Sequence, residues 1–314
     1  MTFLKTDTMH YKGIDLFAGG GGTTTGATEA GVEIVWAGNH VPKIVEYHKL
    51  NHPNTIHSCQ DLKQADWSEL PPFDIMYASP CCQGHSYAAG KARKSKKADK
   101  SRSTAWAPVD CLDVHDTELA IIENTDGFLD WRLFSAWEHS LKSMGYAVSQ
   151  NLINLADLGC AQSRERMFFV LTKSKNPIQI KIPKRDRRPA RDIIDLNFEG
   201  HKWDLVTNKV PATQLRVRNG RKQFGDVFLD AAYGSARTGR SLDKPLGTVT
   251  TVNKHYLVNG EYIRPLNVKE LALAQTFPEN YIWPDSVTDT KLMLGNAVPP
   301  YMAKELTSAI FRAI

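Results

Sequence analysis

The sequence contains few cysteines, and their arrangement does not resemble a structural framework. The 314 residues include five cysteines, an odd number, and none of them belongs to a C-x-x-C pair. Disulfide-stapled domains and structural zinc sites are built on paired cysteines, so both classes are disfavoured. We therefore expect a reduced, intracellular protein that binds no metal.

Long hydrophobic runs are also missing. No stretch of about 18 residues is apolar and uncharged, as a membrane span requires. Residues 1–17 show no cationic stretch followed by an apolar core, so no signal peptide is predicted. Neither an internal repeat nor a long low-complexity tract is present. A content of 42% hydrophobic and 23% charged residues is ordinary for a globular protein, and the length suggests about two domains.

Charge is unevenly distributed along the chain. The formal net charge is only +5, yet residues 91–102 hold seven bases and one acid, and residues 173–255 hold 18 bases and eight acids. The rest of the chain therefore carries a net charge of −11. Two basic segments on an acidic body are typical of a protein that meets a polyanion at two surfaces. Solvated loops remain the alternative for either segment taken alone.

The first half of the chain alternates short apolar runs with helical patterns. Buried strands are predicted at residues 13–17, 33–37, 73–78 and 118–123, and helices at residues 24–30, 43–51 and 128–144. This alternation predicts an α/β fold with a parallel sheet covered on both faces. Ligands of such sheets bind beyond the carboxyl ends of the strands, so the residues that follow each strand are the candidates for a site.

The pattern changes from about residue 177. Short strands, frequent Gly, Pro and Asn, and the clusters KRDRR and RVRNGRK predict a smaller, irregular second domain. Helical patterns return at residues 267–275 and 300–314. In the last segment a core-facing stripe is expected from Tyr301, Leu306, Ile310 and Ile314.

A glycine-rich segment, DLFAGGGG at residues 15–22, follows the first predicted strand and precedes a predicted helix. Consecutive glycines let the backbone approach a ligand closely, and the helix N-terminus offers free N–H groups and a positive potential. The spacing differs from G-x-G-x-x-G because Thr24 and Thr25 stand where the third glycine belongs. A nucleotide-like cofactor is favoured over a simple tight turn, and its identity stays open.

Two cysteines, Cys81 and Cys82, lie in the segment SPCCQGHS that directly follows another predicted strand. A thiol at a strand end, beside small and polar residues, can act as a thiolate nucleophile. A buried structural cysteine is the usual alternative, but the residues that follow are too polar and cationic to form a core. The pattern favours a nucleophile.

An acid and two arginines complete the candidate chemistry. Glu123 precedes Asn124 at a strand end, where burial could hold its carboxyl protonated. Arg164 and Arg166 alternate in QSRER, so an extended segment would place them on one face. Each feature alone is most often a surface ion pair. Together they place a thiol, an acid and two guanidinium groups at one edge of the sheet.

In this order the motifs resemble those of the DNA cytosine-5 methyltransferases. D-L-F-A-G-x-G-G is similar to that family's S-adenosylmethionine loop, P-C-Q-x-x-S to its nucleophile loop, E-N to its acid and Q-x-R-x-R to its arginine strand. Residues 264–278 resemble its R-x-L-T…E…Q-x-F-P element, with Asn267 in place of the threonine, and residues 295–299 resemble its G-N-A-V segment. Six ordered matches cover nearly the whole chain and are specific as a set.

The resemblance implies a Rossmann-like, S-adenosylmethionine-dependent methyltransferase sheet with a smaller target-recognition domain. It assigns residues 1–174 to catalysis and cofactor binding, 175–255 to target recognition, and 256–314 to a C-terminal segment that returns to the catalytic domain. Cys82 would be the nucleophile at cytosine C6, since it precedes Gln83. Glu123 would contact N3 and the exocyclic amine, Arg166 would contact O2, and Arg164 would help fix the loop.

The resemblance also implies binding residues. Asn39 and His40 stand where the family usually has an acidic residue for the ribose, and Asp61 resembles the residue that binds the adenine amine. The implied cofactor contacts are Asp15, Phe17, Ala18, Gly19, Gly21, Asn39, His40, Asp61, Leu62, Pro80, Asn296, Ala297 and Val298. The implied DNA contacts are Gln83, Ser86, Lys91, Arg93, Lys94, Arg216, Arg218 and Arg221. Residues 91–102 would form a mobile loop that closes over DNA phosphates.

The expected substrate is double-stranded DNA with the target base flipped out, and the expected cofactor is S-adenosyl-L-methionine. We expect a monomer of prokaryotic or viral type in the cytoplasm, with any restriction endonuclease as a separate protein. An RNA cytosine-5 methyltransferase and a catalytically silent DNA-binding relative are the alternatives. The basic second domain favours DNA, and the presence of the thiol, the acid and both arginines favours an active enzyme. Methylation of an exocyclic amine is disfavoured because it needs no thiol.

Overall fold

The computed structural model describes residues 11–85, 95–233 and 236–314. The described chain up to Asn154, together with Glu165–Pro183 and Ala297–Ile314, forms one compact unit; Leu155–Arg164 and Lys184–Asn296 form a second. Residues 256–296 thus group with the second unit, and only the last 18 residues return to the first. The extent of a target-recognition domain stays a prediction.

A seven-stranded sheet forms the centre of the first unit. Its strands are β1 (Tyr11–Leu16), β2 (Val32–Asn39), β3 (Ile56–Cys59), β4 (Ile75–Ala78), β5 (Leu119–Asn124), β6 (Ala147–Asn154) and β7 (Glu165–Thr172), in the order β3-β2-β1-β4-β5-β7-β6. The strands β1 to β5 pair in parallel, which confirms the predicted α/β sheet. By contrast, β7 runs antiparallel to β5 and β6. Only ten residues separate β6 from β7, fewer than a parallel crossover needs.

Helices accompany the strands of both units. In the first unit these are α1 (Gly22–Glu29), α2 (Pro42–Asn51), α3 (Lys96–Arg102), α4 (Ala107–His115), α5 (Phe134–Ser143) and α9 (Pro300–Phe311); in the second, α6 (Pro211–Phe224), α7 (Val268–Ala274) and α8 (Val287–Asn296). The helix predicted at residues 128–144 begins later, at Phe134, because a short 3₁₀ turn at Asp126–Phe128 precedes it. Phe128 at the end of that turn and Trp131, three residues later, are both buried in the core.

The helices α1 and α9 pack closely in the first unit. A side chain at Gly26 would lie 2.1 Å from the carbonyl oxygen of Pro300, so only glycine allows this approach. Of the predicted stripe on α9, Leu306 and Ile310 are buried, whereas Tyr301 and Ile314 are only half-buried.

The core of the first unit is built from the apolar runs of its central strands. Ile14, Met76 and Ile122 are fully buried, one on each of β1, β4 and β5. Strands covered on both faces have few positions for polar side chains, so a polar residue at the end of such a strand is a candidate for a functional site. Among the described residues, no helix is long and apolar enough to cross a membrane.

The second unit contains a small antiparallel sheet. Its strands are β8 (Asp204–Leu205), β9 (Val227–Ala231), β10 (His255–Asn259) and β11 (Tyr262–Pro265), in the order β8-β11-β10-β9. The helix α6 packs on this sheet through Val217 and Gly220, where a side chain on the glycine would lie 2.3 Å from the Phe228 ring. Asn267, the residue in place of the expected threonine, caps α7 in a reciprocal capping box with Glu270.

Candidate active site

The loops that follow β1, β2 and β4 are tied together at the carboxyl edge of the large sheet. The Ser79 N–H after β4 donates to the Leu16 carbonyl at 3.0 Å, and the Ala18 N–H after β1 donates to the Gly38 carbonyl at 3.1 Å. These bonds connect the glycine-rich segment with the start of the nucleophile segment. The predicted convergence of these two motifs at one edge is therefore present in the structure.

The backbone of the glycine-rich segment adopts left-handed conformations at several residues. Phe17, Gly19 and Gly21 have φ angles of 61°, 55° and 81°, in the left-handed region that favours glycine. The helix α1 starts at Gly22, and no side chain caps its N-terminus. Its first-turn N–H groups are therefore oriented toward the region beyond β1, where they can meet an anionic group.

Asp15 ends β1 beneath this segment and is completely buried. The Thr24 hydroxyl donates to Oδ2 of Asp15 at 2.8 Å, whereas Oδ1 is buried without a hydrogen-bond partner among the described residues. Burial raises the pKa of Asp15 to about 7, although hydrogen bonds from Thr24 oppose this shift. A buried carboxyl with one unsatisfied oxygen suits a ligand that carries a positive charge.

A small cavity of about 10 Å³ lies at the same edge of the sheet. Thr23 from α1, Ser79 after β4, Glu123 at the end of β5 and Val298 from the chain's last segment all line it. The remaining lining side chains are mainly apolar, among them Leu306. Residues from four of the sequence motifs thus surround one space. Ala297 is also buried in this unit, whereas Asn296 is exposed and belongs to the second unit.

The residues after β2 and β3 differ in what they can offer a ligand. Oδ1 of Asn39 accepts the Val41 N–H at 3.0 Å and so turns the chain into α2. His40 is exposed, and the exposed carboxylate of Asp61 accepts the Lys63 N–H. Leu62 is buried and belongs to the hydrophobic core.

The nucleophile segment is anchored on two sides. The Asn124 side chain donates to the Pro80 carbonyl at 3.1 Å, which couples the segment to the end of β5. The Cys81 N–H donates to the Thr104 hydroxyl at 3.0 Å, and the Ser101 hydroxyl contacts Sγ of Cys81 at 3.0 Å. Both thiols are half-buried. Cys81 is therefore held against the residues of α3 and its C-terminal extension.

The same helix holds the residues after Cys82. The Arg102 guanidinium donates to the Gly84 carbonyl at 2.7 Å, and a side chain at Gly84 would lie 2.5 Å from the Ala98 carbonyl oxygen. His85 is buried, with its ring 4.5 Å from that of Phe128. Gln83 is exposed. The predicted DNA contacts Ser86, Lys91, Arg93 and Lys94 lie outside the described residues.

Glu123 and Arg166 form an ion pair across β5 and β7. Nε of Arg166 lies 2.9 Å from Oε1 of Glu123, and the two side chains are 11% and 10% exposed. The Arg166 guanidinium therefore fixes the orientation of the Glu123 carboxyl at the end of β5.

Arg164 lies two residues earlier in the chain but belongs to the second unit. Its buried guanidinium donates to the carbonyls of Val249 and Gly295, at 2.9 and 3.0 Å. The Gly295 backbone is packed so tightly that a side chain would lie 2.2 Å from the Thr251 nitrogen. Through the Gly295 carbonyl, Arg164 fixes the first residue of the G-N-A-V segment within the second unit.

The three predicted DNA contacts on α6 occupy different environments. Arg216 makes a bidentate ion pair with the fully buried Asp230, at 2.8 and 2.9 Å. Arg221 donates to the Gly260 carbonyl at 2.6 Å and pairs with Glu261 at 2.9 Å. Arg218 is exposed. Arg216 and Arg221 thus support the second unit itself, while Arg218 presents its side chain to solvent.

Several residues of the site were not singled out from the sequence. Thr24 hydrogen-bonds Asp15 and His48, and His48 hydrogen-bonds His57. The nucleophile segment is held by Ser101, Arg102 and Thr104. His48 and His52 are four residues apart on α2, a spacing that places them on one face. The spacing of these two histidines could have indicated that they share a helix face. The other contacts join different helices, strands and loops, so the sequence pattern does not show them.

The sequence of this chain is similar to one protein family and to curated proteins over nearly its whole length. Residues 11–312 match the family described as C-5 cytosine-specific DNA methylase. The chain is 26% identical to the Type II methyltransferase M.NgoPII of Neisseria gonorrhoeae, over 96% of this chain and 95% of that protein. It is 27% identical to the Type II methyltransferase M.MthTI of Methanothermobacter thermautotrophicus, over 94% of this chain and 95% of that protein.

Solved structures show the same fold. The Entamoeba histolytica methyltransferase EhMeth aligns with a TM-score of 0.70 at 15% identity, over 97% of this chain and 99% of that chain. The S. pombe Dnmt2 methyltransferase aligns with a TM-score of 0.66 at 16% identity, over 97% of this chain and 98% of that chain.

Proposed function

Because the chain belongs to the C-5 cytosine-specific DNA methylase family, we propose that it transfers a methyl group from S-adenosyl-L-methionine to C5 of cytosine at a specific DNA site. The observation that carries this proposal is the meeting of two motifs at one edge of the sheet. The Ser79 N–H donates to the Leu16 carbonyl in the glycine-rich segment, and the Asn124 side chain anchors the Cys82 segment through the Pro80 carbonyl. The segment that would hold the cofactor and the candidate nucleophile therefore share one edge of the sheet.

The residues around Asp15 suit this cofactor. When bound, S-adenosyl-L-methionine supplies an electrophilic methyl group on a cationic sulfur. Asp15 offers a buried carboxyl oxygen without a partner among the described residues to a positive charge, and the first-turn N–H groups of α1 offer donors to a carboxylate. The turn into α2 uses Oδ1 of Asn39, so its amide nitrogen can donate to a ribose hydroxyl.

Cys82 would activate the base. Cytosine C5 is a poor nucleophile, so the thiolate first adds to C6, and the electron pair of the C5–C6 double bond moves to C5. After C5 has accepted a methyl group, its proton passes to a water molecule that acts as the base, and the C6–S bond breaks. These two changes restore the double bond and return the thiolate of Cys82.

Glu123 and Arg166 would stabilise the charge that develops on the ring. The protonated Glu123 carboxyl would donate to N3 and accept a hydrogen bond from the exocyclic amine, and the Arg166 guanidinium would donate to O2. Their ion pair holds both groups in one orientation before the base arrives. Arg164, buried among carbonyls of the second unit, would be a positioning residue for the G-N-A-V segment. A stacked cytosine is out of reach of these groups, so the base must be flipped out.

A covalent trap tests the nucleophile. The protein is incubated with cofactor and duplex DNA that contains 5-fluorocytosine, which cannot lose a proton from C5, and the adduct is mapped to a peptide. We expect an adduct on Cys82. Cys81→Ser is the matched control and should retain the adduct, whereas Cys82→Ser should lose it and still bind DNA. An adduct on Cys81, or none with an otherwise active protein, would contradict the proposed mechanism.

The substrate is tested with labelled cofactor and matched nucleic acids. Duplex DNA, single-stranded DNA and RNA of the same sequences are compared for transfer of the labelled methyl group. We expect transfer to duplex DNA, and bisulfite sequencing of DNA from cells that express the protein would then identify the site. Transfer to RNA alone would overturn the proposal for DNA, and binding without transfer to any substrate would identify a silent relative. We further propose that the protein acts as a monomer and that any endonuclease for the same site is separate.

A further inference from the structure

Two hydroxyl groups hold the backbone on both sides of Cys82. The Cys81 N–H donates to Oγ1 of Thr104 at 3.0 Å, and the Gly84 N–H donates to Oγ of Ser101 at 3.3 Å. Between these bonds the chain turns, because the N–H of the residue after Gly84 donates to the Cys82 carbonyl at 2.9 Å. The candidate nucleophile therefore lies in a turn that is held by side chains before and after it.

Each hydroxyl also donates its own proton. Thr104 donates to the Ser101 carbonyl at 2.8 Å, and Ser101 donates to Sγ of Cys81 at 3.0 Å, with the Cys81 carbonyl as a more distant acceptor at 3.4 Å. A hydroxyl can donate one hydrogen bond and accept two, so all of these bonds to and from the two hydroxyls can be made together. Thr104 and Ser101 thus form one connected network with the nucleophile segment.

The residues that supply these hydroxyls are themselves fixed to the core. Thr104 belongs to the 3₁₀ turn Ser103–Trp106, which continues α3. In this turn Ala105 is buried, and its carbonyl accepts the indole N–H of the fully buried Trp137 on α5 at 2.9 Å. A side chain on such a support holds its partner in a defined position. Thr104 therefore connects the nucleophile segment to the hydrophobic core of the first unit.

The bond from Cys81 depends on a departure from the family's motif. In P-C-Q-x-x-S the residue before the nucleophile is a proline, which has no N–H and whose ring fixes its φ angle. Here that residue is Cys81, and both its N–H and its Sγ enter the network. A proline could make neither of these bonds. In this chain, hydroxyl groups from another segment restrain the backbone where the motif has a proline ring.

We infer that Thr104 and Ser101 are positioning residues for the Cys82 thiolate, which act on it through the backbone of Cys81 and Gly84. This inference rests on the proposed function, because it requires the sulfur of Cys82 to attack cytosine C6. Attack needs the reacting atoms about 3 to 3.5 Å apart and aligned, and a displacement of about 1 Å can cost about two orders of magnitude in rate. Loss of the network should therefore slow the methyl transfer and leave the binding of cofactor and DNA unchanged.

Thr104→Val tests this role, because valine has a similar shape and can neither accept the Cys81 N–H nor donate to the Ser101 carbonyl. We expect the single-turnover rate of methylation of duplex DNA, at saturating cofactor, to fall about tenfold, as for the loss of about one hydrogen bond. The Kd values for S-adenosylmethionine and DNA should not change. Thr104→Ser keeps the hydroxyl and should recover the wild-type rate. Ser101→Ala should also slow the reaction, because it frees the Gly84 N–H.

Ser103→Ala is the matched control. Ser103 lies between the two positioning residues, but its hydroxyl donates to the Lys100 carbonyl at 2.8 Å, within its own segment. Removing this hydroxyl should leave the methylation rate unchanged. A tenfold loss in Ser103→Ala as well would show that any hydroxyl of the segment affects the rate through the fold, and it would overturn the inference.

A double-mutant cycle tests whether Thr104 acts through Cys81. Cys81→Pro has no N–H at this position, so the further change Thr104→Val should lower its rate by less than about twofold, against about tenfold in the wild type. A side chain that only stabilised the fold would give the same factor in both backgrounds, and that result would contradict the inference. If Cys81→Pro does not fold, the comparison of Thr104→Val with Thr104→Ser decides, with denaturant unfolding to show that both are folded in the assay.

The outcomes separate the inference from the proposed function. If the wild type transfers no methyl group to any nucleic acid, the proposed function fails and this role of Thr104 and Ser101 fails with it. If the wild type methylates DNA and Thr104→Val does so at the same rate, or loses rate only through a higher Kd for DNA, the inference alone is wrong. A Thr104→Ser variant as slow as Thr104→Val would also reject it.

Discussion

Nε of Arg166 lies 2.9 Å from Oε1 of Glu123, and little of either side chain is exposed. The pair joins two neighbouring antiparallel strands and has its acid at the cavity that Ser79 and Val298 also line. Arg166 thus has two effects on Glu123. It neutralises a carboxylate that burial would otherwise destabilise, and it fixes the direction of the carboxyl toward a bound base.

Glu123→Gln is expected to lower kcat by about 10² to 10⁴, the contribution of a positioned acid–base group. The amide keeps the shape of the side chain but cannot carry the negative charge or act as an acid. Cofactor affinity should change little, which calorimetric titration with S-adenosylmethionine checks. Arg166→Lys is the companion variant, because lysine keeps the charge and lacks the planar fork. Activity near the wild-type level in Glu123→Gln would contradict the role of Glu123.

Arg102→Ala is expected to lower kcat about tenfold with unchanged cofactor affinity, because it frees the Gly84 carbonyl and loosens the segment that carries Cys82. The readouts are single-turnover methylation and the rate of Cys82 alkylation by a small reagent. Lys142→Ala, an exposed position on α5 outside residues 91–102, is the control and should leave both rates unchanged. A loss of DNA affinity in Arg102→Ala, without an effect on the alkylation rate, would instead identify Arg102 as a phosphate contact.

The arginines of α6 should separate into two classes. Arg218→Ala should weaken DNA binding and reduce the slope of log affinity against log salt by about one, as expected for one phosphate contact. Arg216→Ala should mainly reduce stability, by about 3 kcal/mol, because it leaves the buried Asp230 carboxylate without its partner. Denaturant unfolding and salt-dependent DNA titration of both variants test this division. Equal losses of DNA affinity without a loss of stability would reject it.

Asp15 should make its own contribution to stability as a function of pH. Its pKa in the folded protein, about 7, lies above the ordinary value of 3.8, so between these values the folded state binds a proton that the unfolded state does not. The stability that Asp15 contributes is thus complete below about pH 4 and is lost as the pH rises through 7. Relative to the wild type, Asp15→Asn should therefore gain about 1.4 kcal/mol per pH unit within this window.

The histidines of α2 have the opposite sign and provide the control. The pKa of His52 is lowered from 6.5 to about 4, so its contribution is present above about pH 6.5 and is lost as the pH falls toward 4. Unfolding free energies of the cofactor-free wild type, Asp15→Asn and His52→Phe between about pH 4 and pH 8 measure both trends. A constant difference between Asp15→Asn and the wild type over this range would contradict the raised pKa of Asp15.

The strands and the loop residues of the large sheet could be predicted because their signals are local. Buried apolar runs end at polar residues, and parallel strands bring those ends to one edge of the sheet. This pattern alone predicts that Asp15 and Glu123 lie at the same edge. The ion pair of Arg216 could not be predicted from a basic cluster, since its partner Asp230 is reached only when β9 packs against α6. The direction of β7 and the hydrogen-bond chain to His57 likewise depend on contacts between distant segments. Asn267 shows an intermediate case: asparagine is a preferred N-cap, so the departure from threonine preserves the local function.

The contact between α1 and α9 links the earliest part of the fold to the latest. Lys304 and Glu29 form an ion pair across 275 residues of chain, next to the point where Pro300 meets Gly26. The helix α1, which follows the glycine-rich segment, therefore lacks this packing partner until residues 300–311 have been synthesised. Contacts of such long sequence separation form slowly. A nascent chain that has not reached α9 would thus present α1 with its glycine face uncovered.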